Sequence, residues 1–228
     1  MEEFKIFTSK RYFVSVVIFL SLLIAVFLVG VSQRHGGQLT VAISSEPPGL
    51  DPTVNAASSI DRVVYNNVYQ GLVKIDRNGD IVPSLAKEWN ISDEGKRYTF
   101  SLRHDVTFHD GSHFGPKDVV YTFNRIIDGS IEPPHPEYYS PIDKVLASSH
   151  NKVIFKLKES NYELLYNLAR GDSVIVPEGA KNIKQNPVGT GPFKFNSWRR
   201  GYSISLAKYD DYYEENLPYL DRVIFRFI

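Results

Sequence analysis

Ser84 and Lys87 stand in the order S-x-x-K, the spacing at which a lysine one helical turn away can help activate a serine hydroxyl for acyl transfer. That chemistry also needs partners resembling S-D-N and K-T-G, and the sequence has neither. A four-residue match without them reads as a serine capping a helix, followed by an exposed lysine. His104, His109 and His113, with Asp105 and Asp110, concentrate the residue types that hold metals. They do not share a helix face, because they fall on strand, turn and loop. His109 and Asp110 read instead as building a turn with Gly111, where a short acceptor side chain satisfies the backbone. Gly189-Thr190-Gly191-Pro192 is rich in glycine but lacks G-x-x-x-x-G-K-[ST], and Pro192 removes a backbone donor that a phosphate would need. It reads as a tight turn. Neither G-x-S-x-G nor H-E-x-x-H occurs. No catalytic residue, no metal and no cofactor is expected.

Bulk composition points the same way. The 228 residues carry 26 basic and 26 acidic side chains, so the formal charge is zero and nothing draws the chain toward nucleic acid. Without cysteine there is no disulfide, thiolate metal site or lipid-anchoring thiol. The 14 tyrosines suit a moderately polar binding surface, and equally a strand-rich core.

The elements that would position these residues alternate between strands and helices. Residues 38–44 alternate as a strand stopped at Glu46-Pro47-Pro48-Gly49. A helix is expected from about Ser59, with Ile60, Val63, Val64 and Val68 at helical spacing and Gly71 as its cap. A strand over 72–75 leads into Asn78-Gly79, a pair that tolerates the positive φ of a tight hairpin. A short helix is expected from Ser84 to about Trp89, then a strand through Tyr98, Phe100 and Leu102, continued by Val106 and Phe108. Pro116 opens a helix with Asp118 in its first turn, and Gly129 ends it. Residues 131–141 hold four prolines and read as an extended connection. A strand at 153–157, a helix around Leu164, Leu165 and Leu168, a short strand at 174–176 and strands at 193–197, 203–206 and 223–227 follow. The many hairpin signals argue against one purely parallel sheet. The expected class is α/β, a lobe carrying an inserted β-rich subdomain.

At the N-terminus Lys5, Lys10 and Arg11 precede an apolar run over 13–31, long enough to span a bilayer as a helix. The positive flank places the N-terminus inside and the remainder outside. The run reads as an uncleaved anchor in the cytoplasmic membrane, or as a signal peptide cleaved after Ser32, where Gly30, Val31 and Ser32 offer small residues. Either way the globular part is periplasmic or otherwise extracytoplasmic.

Four stretches, in order, carry a resemblance. They are Ser45-Glu46-Pro47-Pro48-Gly49-Leu50-Asp51-Pro52; Val68-Tyr69-Gln70-Gly71-Leu72-Val73 with residues 83–125; residues 187–195, close to P-x-G-T-G-P-Y-K-F; and Asp211-Tyr212-Tyr213 with Leu217-Pro218-Tyr219-Leu220-Asp221. Together they resemble the family 5 extracellular solute-binding proteins, the peptide- and nickel-binding receptors of ABC importers. The resemblance implies a periplasmic-binding-protein-like fold of type II. Its first lobe is expected from residues 36–69 and 172–228, and its inserted subdomain from residues 70–171. It implies a binding protein rather than an enzyme, working with ABC permease subunits and holding an extended peptide or similar solute by main-chain hydrogen bonds. By the same resemblance Asn55, Ala56, Ala57 and Ser58 would line the ligand, and Tyr138 and Tyr139 would face the cleft from the inserted subdomain. Family members are about twice this length. The expectation is therefore an N-terminal part or truncated form, lacking the second lobe and the acidic residue it contributes toward a peptide amine. A membrane-anchored interaction lobe without transport is the alternative, and an S-x-x-K hydrolase the remote one.

Overall fold

Alternation of apolar and polar residues builds two four-stranded sheets, each with its own core. The computed structural model describes residues 35–149 and 151–228. Residues 13–31, where the membrane anchor or signal peptide is expected, lie outside the described residues. Among the described residues no helix is long and apolar enough to cross a membrane.

The first sheet has the order β1 (Gln38–Ile43), β10 (Arg222–Phe227), β9 (Ser203–Lys208), β8 (Phe193–Arg199). Only β1 and β10 run parallel, with Leu39 opposite Val223 and Val41 opposite Phe225. The remaining pairs are antiparallel. Ile204, Leu206, Val223 and Phe225 point from this sheet into a core shared with Ile60, Val63 and Val64 of helix α1 (Ser58–Val64). The second sheet has the order β4 (Ala86–Ser92), β5 (Arg97–Leu102), β7 (Lys152–Leu157), β6 (Ile142–Ser149), antiparallel throughout. Tyr98, Phe100, Val153 and Phe155 face helices α2 (Pro116–Ile127) and α4 (Leu164–Leu168). Phe155 meets Phe100 and Phe123 edge-on, with ring centroids 5.4 and 4.9 Å away. A hairpin of β2 (Val73–Ile75) and β3 (Ile81–Pro83) turns at Asn78-Gly79, where Gly79 takes a φ of 90°. Gly36–Ile228 form one compact unit.

Five local expectations differ from the structure. Residues 84–89 are not helical: β4 begins at Ala86 and pairs with β5. Leu85, Ala86 and Trp89 imitate helical spacing because a bulge between Ala86 and Glu88 breaks the strand alternation. The helix from Ser59 stops at Val64 rather than near Gly71, because the carbonyls of Asn67 and Val68 accept from Phe193 and Gly191 at 2.9 Å each. Val106 and Phe108 are buried, but only a single bridge, Thr107 to His113, continues the ladder there. The proline-rich connection contains one helical turn, α3 (Pro136–Tyr139), entered at Pro136, where a missing N–H costs nothing. Residues 174–176 form no ladder; Ile175 donates to Gln70 and Val176 to the Thr122 hydroxyl.

Candidate functional site

Ser84 and Lys87 cannot act together. Ser84 is 1% exposed, whereas Lys87 is exposed and lies 3.2 Å from His104 Nδ1. The histidines separate too. His113 is exposed, and His109 is held by the glycine turn: Gly189 N–H donates to its Nδ1 at 3.3 Å and its Nε2 donates to the Gly191 carbonyl at 2.9 Å. Among the described residues no group of three or more His, Cys, Asp or Glu is placed to hold a metal ion.

The glycine turn is a fastener rather than a phosphate loop. A Cβ on Gly189 or Gly191 would overlap the carbonyls of Val68 and Asn67, so only glycine lets the two backbones meet. Thr190 donates to Gln70 Oε1 at 3.1 Å, and Gln70 Nε2 donates to the hydroxyls of Tyr212 and Tyr213 at 3.1 and 3.0 Å. Gln70 is 2% exposed and joins three of the motif stretches at one buried point. The remaining stretch uses Glu46, whose carboxylate accepts from Trp198 Nε1 at 2.8 Å and Gly201 N–H at 2.9 Å. The motifs that carry the resemblance are therefore mostly framework.

A concave surface opens where the loop before α1 meets the segment after α4. Asp51 Oδ1 accepts from Thr53 N–H at 3.0 Å and its hydroxyl at 2.6 Å, which anchors the loop at a fully buried Thr53. Val54, Asn55, Ala56 and Ser58 are exposed, and Ala57 is half-buried. Asn55 Oδ1 accepts from Ala57 N–H at 2.9 Å and starts the helix, while the main-chain N–H groups of Asn55 and Ala56 bond to nothing else described. Tyr65 at the end of α1 donates to the Ala169 carbonyl at 2.5 Å, which ties the two segments together.

Between them lies a cleft of about 290 Å³, lined by Pro52, Ala56, Asp61, Tyr65, His135, Arg170, Gly171 and Asp172. Asp61 rests directly on Gly171, where a Cβ would stand 2.5 Å from its Oδ1. Asp172 sits in the helical turn Gly171–Ser173 and is 6% exposed. Its Oδ1 lies 3.7 Å from Arg170 Nε, and its buried Oδ2 has no partner. Arg170 also stacks over the Tyr138 ring at 4.6 Å, and the His135 ring covers Tyr138 at 4.9 Å. Burial raises the Asp172 carboxyl above its usual range, with Arg170 pulling the other way. Burial also raises Asp61, and the charge of Asp172 adds to it. Asp61 and Asp172 share this end of the cleft with Arg170 and His135, both of which favour the charged form of Asp172.

Of the residues expected to line a ligand, Asn55, Ala56 and Ser58 are exposed along one edge and Ala56 reaches the cleft. Tyr138 is half-buried beneath Arg170 and His135. Tyr139 is 3% exposed and lies in the core, its hydroxyl 2.8 Å from Ser173 Oγ. Asp61, Tyr65, His135, Arg170 and Asp172 were not foreseen. Their grouping depends on a turn more than a hundred residues from α1, and no motif spans that distance.

Residues 80–228 match the family model described as bacterial extracellular solute-binding proteins, family 5 middle. The di/tripeptide-binding protein 1 of Pseudomonas aeruginosa (strain UCBPP-PA14) is 29% identical over 90% of this chain and 43% of its own length. The solved structure of the oligopeptide-binding protein AppA of Bacillus subtilis, in complex with a nonapeptide, superposes with a TM-score of 0.79 at 28% identity, covering 86% of this chain and 40% of that one. The binding protein AgaA of A. tumefaciens R10, in complex with agropinic acid, gives a TM-score of 0.79 at 36% identity, covering 84% and 40%. The chain thus spans about two fifths of the length of the relatives it matches. The fold is that of the first lobe of these binding proteins, and the relatives are binders rather than enzymes.

Proposed function

The chain belongs to the family 5 bacterial extracellular solute-binding proteins, and from that premise we propose that it supplies one wall of a solute-capturing cleft for a peptide-type ABC importer. The observation that carries this reading is the edge at residues 54–58. It is exposed, and it offers the main-chain N–H groups of Asn55 and Ala56 to an extended ligand. Main-chain pairing gives affinity without selecting side chains, which suits relatives that hold ligands as different as a nonapeptide and agropinic acid. Oligopeptides or solutes of similar size are the proposed cargo, lying along Asn55, Ala56, Ala57 and Ser58. Tyr138 backs the cleft through Arg170, and Tyr139 supports it from the core.

The proposed division assigns 36–69 and 172–228 to the lobe proper and 70–171 to an inserted subdomain. Two separate cores, one around β8–β10 and α1 and one around β4–β7, support it. Placement outside the cytoplasm follows the family; attachment through residues 13–31 is proposed on their sequence alone. A wall covers only one side of a ligand, and pockets that bind tightly bury most of the ligand surface. Affinity of this wall by itself is therefore expected in the millimolar range.

The test is a titration of the full chain, solubilised in mild detergent, with trialanine, followed by amide chemical shifts. Saturating shifts at Asn55, Ala56, Ala57 and Ser58 are expected. Shifts confined to other surfaces, or none at millimolar peptide, would overturn the proposal.

A further inference from the structure

We propose that the outer face of the second sheet is a docking surface for an anionic membrane, laid against the lipid headgroups. Strand register carries the inference. Tyr98, Phe100, Val153 and Phe155 point into the core, so Arg97, Thr99, Ile154 and Lys156, which alternate with them, point outward. Arg97 lies opposite Lys156 across β5 and β7, and Lys156 lies opposite Lys144 across β7 and β6. Three cations therefore share one row of the sheet, on strands about 4.8 Å apart. Like charges directly opposite one another destabilise a sheet. Little within the protein relieves them. Lys144 has Asp143 at 3.6 Å, but among the described residues no carboxylate lies within ion-pair distance of Arg97, Lys152 or Lys156. An anionic surface outside the molecule would turn this repulsion into attraction.

The rest of the face narrows the partner. The next row, through Thr99, Ile154 and Leu146, is uncharged. The row beyond it sets Lys152 and Glu88 on either side of Ser101. Helices α2 and α4 pack on the opposite face, and this one is open: Lys144, Leu146 and Lys152 are exposed, and Arg97 and Lys156 are half-buried. Three of its four cations are lysines. Lysine is a point charge that suits the diffuse charge of headgroups, whereas a fixed carboxylate on a protein partner favours the planar fork of arginine. Lysine is also depleted in protein–protein interfaces. The exposed Leu146 adds apolar area between the cations. Because the chain as a whole has no net charge, this face, not the total, would set how the protein lies on a bilayer.

The test places the full chain in nanodiscs of phosphatidylglycerol or of phosphatidylcholine, each carrying a headgroup-attached paramagnet, and reads amide relaxation residue by residue. The readout is local, so it holds whether or not residues 13–31 also enter the bilayer. Enhanced relaxation at Arg97, Lys144, Leu146 and Lys156 is expected with phosphatidylglycerol, and none with phosphatidylcholine. It should fade in about 1 M salt, where charges are screened beyond about 3 Å. Lys156→Gln should lower the contact equilibrium about fivefold, the worth of one cation at an anionic bilayer. The same change removes a like-charge neighbour from Arg97 and Lys144, so its urea midpoint should not fall, and lost contact cannot be put down to unfolding. The proposal is overturned if both lipids enhance this face equally, if the enhancement maps to another surface, or if Lys156→Gln leaves it unchanged. Shifts of these residues by hexaglutamate, with no response to phosphatidylglycerol, would overturn it in favour of an acidic protein partner.

Discussion

His109 shows how much one side chain can report. Its Nδ1 accepts from Gly189 N–H, so the neutral ring carries its proton on Nε2 and donates to the Gly191 carbonyl. Protonation would turn Nδ1 into a second donor facing an N–H. Burial pushes its pKa down to about 4 from 6.5, with the bond to Gly191 opposing the shift. Between those values the unfolded chain binds a proton that the folded chain refuses, so stability is present in full above pH 6.5 and is lost as pH falls toward 4. The total is roughly 3 kcal/mol. Asp61, Asp118 and Asp172 are raised, chiefly by burial, and act with the opposite sign just above 3.8. Urea midpoints of His109→Gln and the unmodified chain, compared from pH 7 to 4, isolate the histidine. The variant should lose most of the acid-side decline, and an unchanged slope would disprove the assignment.

At the scale of elements, backbone contact matters more than propensity. Adding a methyl at Gly189 forces it into the Val68 carbonyl, so Gly189→Ala should cost about 3 kcal/mol by urea unfolding. Gly115→Ala is the control, because its extended backbone meets nothing within 4 Å and the change should cost no more than about 0.5 kcal/mol. Elements with uninterrupted periodicity were legible in the sequence: β5 through Tyr98, Phe100 and Leu102, α2 from Pro116, and the Asn78-Gly79 hairpin. Those altered by a bulge or by a distant partner were not. The bulge in β4 turned a strand into apparent helical spacing, and the one between Ile142 and Lys144 put the buried residues of β6, Ile142 and Val145, three apart. The shortening of α1 depended on a turn some 120 residues later. A similar distance separates Arg170 and Asp172 from α1 in the chain, so no local motif links them, whereas residues 55–58 follow directly on the Leu50-Asp51-Pro52 stretch.

Among the described residues, two cores joined at Gln70 and the glycine turn carry the proposed wall, with the loop at residues 54–58 largely exposed beside them. The residues most characteristic of the family fasten that wall, and the residues that would touch a solute are fewer and lie at its rim. The proposed function requires that the N–H groups of Asn55 and Ala56 pair with a ligand main chain. Residue-resolved hydrogen exchange of the full chain, with and without saturating trialanine, tests it most directly. Slower exchange at Asn55 and Ala56 is expected when peptide is present. Unchanged exchange at both amides, with protection appearing on another surface, would contradict it.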